Sequence, residues 1–166
     1  MSKITLKGNE VNTCGSLPAN GSAAPDFLLT KTDLSDVTMK DFAGKNIVLN
    51  IFPSVDTAVC AMSVRRFNKD IASVKNAVCL CVSLDLPFAH KRFCATEGIE
   101  NVLSVSELRG HRFGEDYGVR MTSGPLAGLL SRAVVIIGKD GRVIYSQQVP
   151  DVTQEPDYDK ALAALK

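Results

Sequence analysis

Five cysteines, at positions 14, 60, 79, 81 and 94, are the residues of this chain best suited to covalent chemistry, and Cys60 has the most telling surroundings. Ahead of it, Ile47-Val48-Leu49-Asn50-Ile51-Phe52 is a short apolar run of the kind that makes a fully buried strand. Pro53 closes that strand, because it has no N–H to give a ladder and fixes its own φ. Behind Cys60, apolar residues recur at Val64, Phe67, Ile71 and Val74, in steps that place them on one helical face with Cys60. The periodicity predicts a helix fading near Asn76, with Thr57, or Asp56 before it, as N-cap. Cys60 then sits in or near the first turn, where unpaired backbone N–H groups and the macrodipole favour an anion. The thiolate is such an anion, and it is the nucleophilic form of cysteine.

The plainer reading of a cysteine is a small hydrophobe that fills space. It suits Cys79 and Cys81, which lie two apart on the strand-like run Ala77-Val78-Cys79-Leu80-Cys81-Val82-Ser83. They share one face of that strand at about 6.6–6.8 Å, the outer edge of disulfide reach. A zinc site is not expected: Cys79-x-Cys81 is too closely spaced, and no Cys-x-x-Cys or histidine pair completes it. An odd number of cysteines without a secretory signal argues against a disulfide framework. His90 and His111 are expected on polar, exposed helical stretches, and no hydrolase-type triad or phosphate-cradling glycine loop is visible.

The elements that must position Cys60 can be read along the chain. Ile4-Thr5-Leu6 and Val11-Asn12-Thr13 flank Gly8-Asn9 as an N-terminal hairpin. A loop of small and polar residues leads through Pro25 to a strand beginning at Phe27, then to a short strand and helical turn over 36–44. Strand 47–52, the Cys60 helix and strand 77–83 form a βαβ unit, which implies parallel pairing and a right-handed crossover. A helix carrying Cys94 runs to Glu97-Gly98, followed by a strand at 102–105 and a short helix at 112–118. Ala133-Val134-Val135-Ile136-Ile137 is the most strand-like run, turned back by Asp140-Gly141 into a hairpin; a helix over 158–165 closes the order. Alternating βα units followed by an antiparallel hairpin and helix predict an α/β protein, a mixed central sheet flanked by helices.

The whole chain bounds the rest. Its 166 residues are one domain's worth, 1–166, with 45% apolar and 22% charged residues. A net charge of +1 gives no reason to expect nucleic acid or an anionic membrane as partner. The first residues contain no apolar signal region, and no run approaches the roughly 20 apolar residues of a membrane helix. A cytoplasmic, reducing location is the expectation.

The motif Pro-x-x-x-Thr-x-x-Cys at the head of a helix resembles the peroxidatic signature of the peroxiredoxins. The string Asn50-Ile51-Phe52-Pro53-Ser54-Val55-Asp56-Thr57-Ala58-Val59-Cys60 is similar to the thiol peroxidase subfamily, of the atypical two-cysteine type. So are Ser83-Leu84-Asp85-Leu86-Pro87-Phe88-Ala89 with Arg92-Phe93-Cys94, Tyr117-Gly118-Val119, Gly124-Pro125-Leu126 and Glu155-Pro156-Asp157-Tyr158-Asp159. The resemblance implies a thioredoxin-like fold with the hairpin added at its N-terminus. It implies an antioxidant enzyme that reduces alkyl hydroperoxides and hydrogen peroxide without a cofactor. Cys60 would be the peroxidatic nucleophile, with Thr57 bonding peroxide and thiolate and Pro53 screening the sulfur from water. Arg132 matches the family's active-site arginine. Read alone it could form a surface salt bridge, but it stands directly before the strongest strand and so at the start of a core element.

The same resemblance makes Cys94 the resolving cysteine, which condenses with a Cys60 sulfenic acid into an intramolecular disulfide. It further implies thioredoxin as reductant and a homodimer, for which the small and apolar loop 121–130 would suit an interface. Cys14 and Cys79 are not called for by the family pattern. Two other readings stand beside the peroxidase: a thiol–disulfide oxidoreductase, disfavoured because no Cys-x-x-Cys occurs, and a non-enzymatic redox sensor. Because packed helices lie about 8–10 Å apart and a disulfide needs Cα atoms about 4.4–6.8 Å apart, the bond is expected to require local unwinding.

Overall fold

The computed structural model describes residues 1–166. Lys3–Leu6 (β1) and Asn9–Asn12 (β2) form the expected hairpin as a small separate sheet. Its turn puts Lys7 and Gly8 at φ of 51° and 82°, the doubly left-handed geometry whose twist suits a two-residue hairpin loop. Main-chain bonds from Thr5 N–H to Pro150 O (2.8 Å) and from Val152 N–H to Thr5 O (2.9 Å) fasten the hairpin to a late loop.

The main sheet collects Leu29–Lys31 (β3), Asp36–Val37 (β4), Asn46–Ile51 (β5), Ala77–Ser83 (β6), Leu103–Ser106 (β7), Ala133–Ile137 (β8) and Val143–Gln148 (β9). Their order is β4-β3-β7-β6-β5-β8-β9. Strands β5, β6 and β7 run parallel, and every other pairing is antiparallel. The helices are Ala58–Ile71 (α1), Pro87–Glu97 (α2), Phe113–Asp116 (α3) and Tyr158–Ala163 (α4). This is the mixed sheet flanked by helices of the thioredoxin-like fold, with the N-terminal hairpin added.

Side-chain alternation divides the core between the two faces of the sheet. Leu49, Ile51, Leu80, Val82, Val135 and Ile137 pack with Phe113 and Tyr117 on one side. Val48, Phe52, Cys79, Cys81, Val134 and Ile136 face the other, where α1 contributes Cys60, Val64, Phe67 and Ile71. Phe67 meets Tyr158 of α4 edge to face, with centroids 5.3 Å apart. The amphipathic stripe that predicted α1 is therefore the stripe that buries Cys60.

The helix ends at Ile71, five residues short of its expected limit at Asn76. Val74 still packs against the core, so the apolar spacing persists after the helical hydrogen bonds have stopped. Asn76 takes a left-handed φ of 56°, a conformation asparagine tolerates, and its carbonyl accepts from Asn46 N–H at 2.9 Å to start β5. The strand expected from Phe27 begins only at Leu29, although Phe27 is buried beside it.

Gly118 ends α3 at φ 68°, and a Cβ there would stand 2.4–2.7 Å from the backbone of Ser16. The next residue, Val119, accepts from Ser131 N–H at 2.8 Å, so this turn sets the approach to Arg132. Gly118→Ala is expected to lower stability by about 2 kcal/mol or more, since both φ and space oppose a side chain. Urea unfolding measures it; a midpoint within error of wild type would contradict the crowding argument.

Candidate active site

Strand β5 delivers the chain to the edge of the sheet where the parallel strands end. Pro53 follows, buried, and a turn through Ser54 and Val55 leads to Thr57 at the N-cap position with extended φ and ψ of −105° and 143°. Cys60 is the third residue of α1, among the N–H groups that have no helical acceptor, and its side chain is fully buried.

Strand β8 brings the second component. Ala133 pairs with Ile51 in register, so Arg132 arrives level with the end of β5. Arg132 as a whole residue is only 2% exposed. Nε–H donates to Val152 O at 2.8 Å and Nη2–H donates to Cys60 Sγ at 3.2 Å. Nη1 is buried without a partner, which leaves one donor of the fork uncommitted. A buried charge is tolerated only when paired and hydrogen-bonded, so the sulfur and the Val152 carbonyl are part of what holds this cation in place.

Val152 is itself held. Asp151 accepts from Thr5 Oγ1 at 2.6 Å, Gly8 N–H at 3.1 Å and Thr153 N–H at 2.9 Å. The Thr153 hydroxyl also donates to Asp151, and it, foremost, with those bonds keeps the carboxyl well below the usual carboxylate range. The hairpin thus reaches the site by fixing the carbonyl on which Arg132 hangs.

Thr57 occupies the N-cap position but makes no side-chain cap. Its Oγ1–H donates instead to Ser54 O at 3.0 Å, which commits the hydroxyl proton and leaves the oxygen free to accept. Leu6, Pro53, Thr57, Leu126, Arg132 and Val152 border a mostly apolar cleft of about 160 Å³ over this corner. A larger cleft of about 380 Å³, between Asp26 and Arg112, contains no cysteine.

Four of the expected residues therefore converge: Pro53, Thr57, Cys60 and Arg132. Cys94 does not join them. It lies half-buried on α2, its Sγ 3.2 Å from Ser104 Oγ, and burial raises its pKa against the opposing pull of that hydroxyl. All five cysteines are free thiols. Cys79 and Cys81 are buried in the sheet as space-fillers, and Cys14 donates to Gly114 O at 3.4 Å.

The histidines depart from expectation. His111 is exposed, but in a loop with φ 52° rather than on a helix. His90 is completely buried, because Ser83 on β6 supplies a partner 3.0 Å from Nε2. Two other supports escaped the sequence reading. Ser63 Oγ donates to Cys60 O at 2.8 Å and accepts from Asn50 Nδ2 at 3.1 Å. Asn50, a lone amide inside an apolar strand, was the available signal; a carbonyl such as that of Val152 has none.

The sequence profile of the Redoxin family matches residues 19–162. The chain belongs to the redoxin family, in its thiol peroxidase branch. A thiol peroxidase of Mycobacterium tuberculosis is 58% identical to this redoxin over 99% of both chains. One of Corynebacterium glutamicum is 53% identical over the same share. Among solved structures, a peroxiredoxin-like protein from Aquifex aeolicus superposes with a TM-score of 0.92 at 38% identity, covering 99% of this chain and 96% of that one. The redoxin is accordingly a peroxiredoxin-type oxidoreductase.

Replacing Arg132 by lysine keeps a charge but loses the planar fork that reaches Cys60 and Val152 together. The expected cost is about 10²-fold or more in the rate of peroxide reduction, the scale of one lost oxyanion donor. Stopped-flow kinetics decide it; a change under threefold would remove Arg132 from the reacting centre.

Proposed function

We propose that this thiol-dependent peroxidase works through Cys60 as peroxidatic residue and Cys94 as resolving residue, within one domain spanning residues 1–166. The observation that carries the reading is the 3.2 Å contact between the buried Arg132 guanidinium and the Cys60 sulfur. A cation that close, in a water-poor corner, makes strong charge interactions with an attacking sulfur and with the oxygen it attacks.

The Cys60 thiolate attacks the distal peroxide oxygen, the O–O bond breaks, and the sulfur becomes a sulfenic acid. The departing alkoxide takes up a proton and leaves as alcohol, or as water when the substrate is hydrogen peroxide. The uncommitted Nη1 of Arg132 is the donor available to the oxygen on which charge develops. Thr57 Oγ1, its own proton given to Ser54 O, is free to accept from the peroxide O–H. Pro53, buried beside this corner, keeps water from the sulfur. The apolar walls given by Leu6, Leu126 and Val152 suit the alkyl part of an organic hydroperoxide.

Resolution is condensation of the sulfenic acid with the Cys94 thiol, giving a disulfide and water. Each sulfur now faces its own partner, Arg132 or Ser104, from within an intact helix. The two must leave those places to bond, which favours a local opening of the ends of α1 and α2. A dithiol protein such as thioredoxin would then return both cysteines to thiols. A homodimer is the expected assembly, with the loop around Leu126 at its interface, and the cytoplasm the expected setting.

Cys60→Ser is expected to abolish thioredoxin-coupled peroxide turnover. Cys94→Ser should consume one equivalent of peroxide per chain, then stall as sulfenic acid and drift to sulfinic acid. Thioredoxin-coupled NADPH consumption, read with mass spectrometry of the modified residue, measures both. Normal cycling by the Cys94 variant would show that another thiol resolves.

A further inference from the structure

The loop from Pro53 to Thr57 is fastened to the rest of the molecule through one carboxylate. Asp85, just beyond β6, accepts from Ser54 Oγ at 2.8 Å, from Val55 N–H at 2.9 Å and from Ser83 Oγ at 2.6 Å. The direction of these bonds is forced. An ionised carboxylate only accepts, so the single proton of Ser83 Oγ goes to Asp85. The same oxygen accepts from Asp85 N–H at 3.1 Å and faces His90 Nε2 at 3.0 Å, so Nε2 carries the proton and donates. His90 is then neutral, its bare Nδ1 buried without a partner, and burial holds the imidazole below its ordinary pKa.

A single line of donors therefore runs from His90 on the Cys94 helix, through Ser83, to Asp85, where it meets two donors from the Cys60 loop. Ser54, one of those two, also takes the Thr57 hydroxyl proton on its carbonyl. Two other polar links join the same regions: Arg65 with Glu97, and Arg92 with Asp56. Arg92–Asp56 is exposed on both sides, and such pairs contribute little; Arg65–Glu97 is a bidentate pair at 2.7 and 2.9 Å, but it joins α1 to the end of α2 and does not touch the Cys60 loop. Bonds to a half-buried carboxylate are stronger, and leaving their donors unpaired is costly.

We propose that Asp85 is a positioning residue of the peroxidase: its carboxylate clamps the Cys60 loop to the Cys94 helix in the closed, peroxide-reactive arrangement, and its release sets how often Cys94 reaches the oxidised sulfur. The proposal rests on the reading of Cys60 and Cys94 given above. It predicts opposite effects on two steps, which loss of general stability would not produce. With the clamp weakened, Thr57 is less well placed and the first oxidation of Cys60 slows. The opened form is populated more often, so condensation with Cys94 accelerates. That condensation competes with a second peroxide, which transfers one oxygen to the sulfenate, forms the sulfinate and departs as alcohol.

The test uses Asp85→Asn, which keeps the shape but turns an amide N–H₂ towards groups that donate. Reduced wild type and variant are treated with rising doses of an alkyl hydroperoxide, and sulfinic acid at Cys60 is read by mass spectrometry. The dose that overoxidises half of Cys60 is expected to rise about 10-fold, the scale of one hydrogen bond to a charged group. Amides of 54–60 and 87–94 should exchange faster in the reduced variant. Ser83→Ala cuts only the His90 arm and should move the dose the same way by less, so it carries the test if Asp85→Asn does not fold. Arg92→Gln, which breaks the exposed pair with Asp56, should leave the dose unchanged. A dose unchanged or lowered in both Asp85→Asn and Ser83→Ala, with wild-type Cys60 oxidised as expected, overturns the clamp alone. Wild-type Cys60 that never becomes oxidised overturns the site reading and the clamp with it.

Discussion

The guanidinium of Arg132, a residue only 2% exposed, set beside a buried sulfur is the arrangement on which this structure turns. The guanidinium could not sit there without partners, since an unpaired buried cation costs several kcal/mol, and the sulfur is one of those partners. Brought to 3.2 Å they answer each other, and the Val152 carbonyl holds the guanidinium at the angle that makes this possible. Most of the remaining architecture near the site can be understood as keeping those three groups in place.

The sheet does so through register. Strand β5 runs parallel to β6 and antiparallel to β8, so the end of β5 coincides with the end of β6 and the beginning of β8. The Cys60 loop, Asp85 and Arg132 all emerge at that corner, where ligands commonly meet an open α/β sheet. The N-terminal hairpin, which adds nothing to the main sheet, supports the corner from outside by pinning residues 150–152. Its buried Ile4 and Val11 pack with Met121 and Val152, so the hairpin has its own small core beneath the arginine's anchor.

Much of this was legible in the sequence. The apolar strands, the Cys60 helix, the parallel βαβ unit and the hairpins follow from hydrophobic period and turn residues. Pro53, Thr57, Cys60 and Arg132 followed from spacing together with the family resemblance. What could not be read was held by partners distant in sequence. His90 looked exposed between Ala89 and Lys91, yet it is buried because Ser83, seven residues earlier, meets it across the βα turn. Thr57 had the residue type of a cap, but its hydroxyl is turned back to donate to the Ser54 carbonyl, and its oxygen accepts from no helical N–H. Asp151 and the Val152 carbonyl act through the hairpin some 145 residues away, beyond any local pattern. The end of α1 was misplaced because apolar spacing reports burial, and burial continued through Val74 after the helix had stopped.

In the proposed mechanism, two demands on Cys60 pull in opposite directions. Reaction with peroxide needs the sulfur held against Arg132 inside a closed corner; resolution needs it released towards Cys94. The first must precede the second, which makes the order of oxidation the most direct observable. Reduced wild-type protein would be mixed with one equivalent of alkyl hydroperoxide and quenched on the millisecond scale, and each of the five cysteines would then be mapped. The account predicts oxygen on Cys60 alone at the earliest times, followed by its conversion into a bond with Cys94. Oxidation arriving first at Cys94, Cys79 or Cys14, or reaching Cys60 no faster than the other thiols, would contradict it.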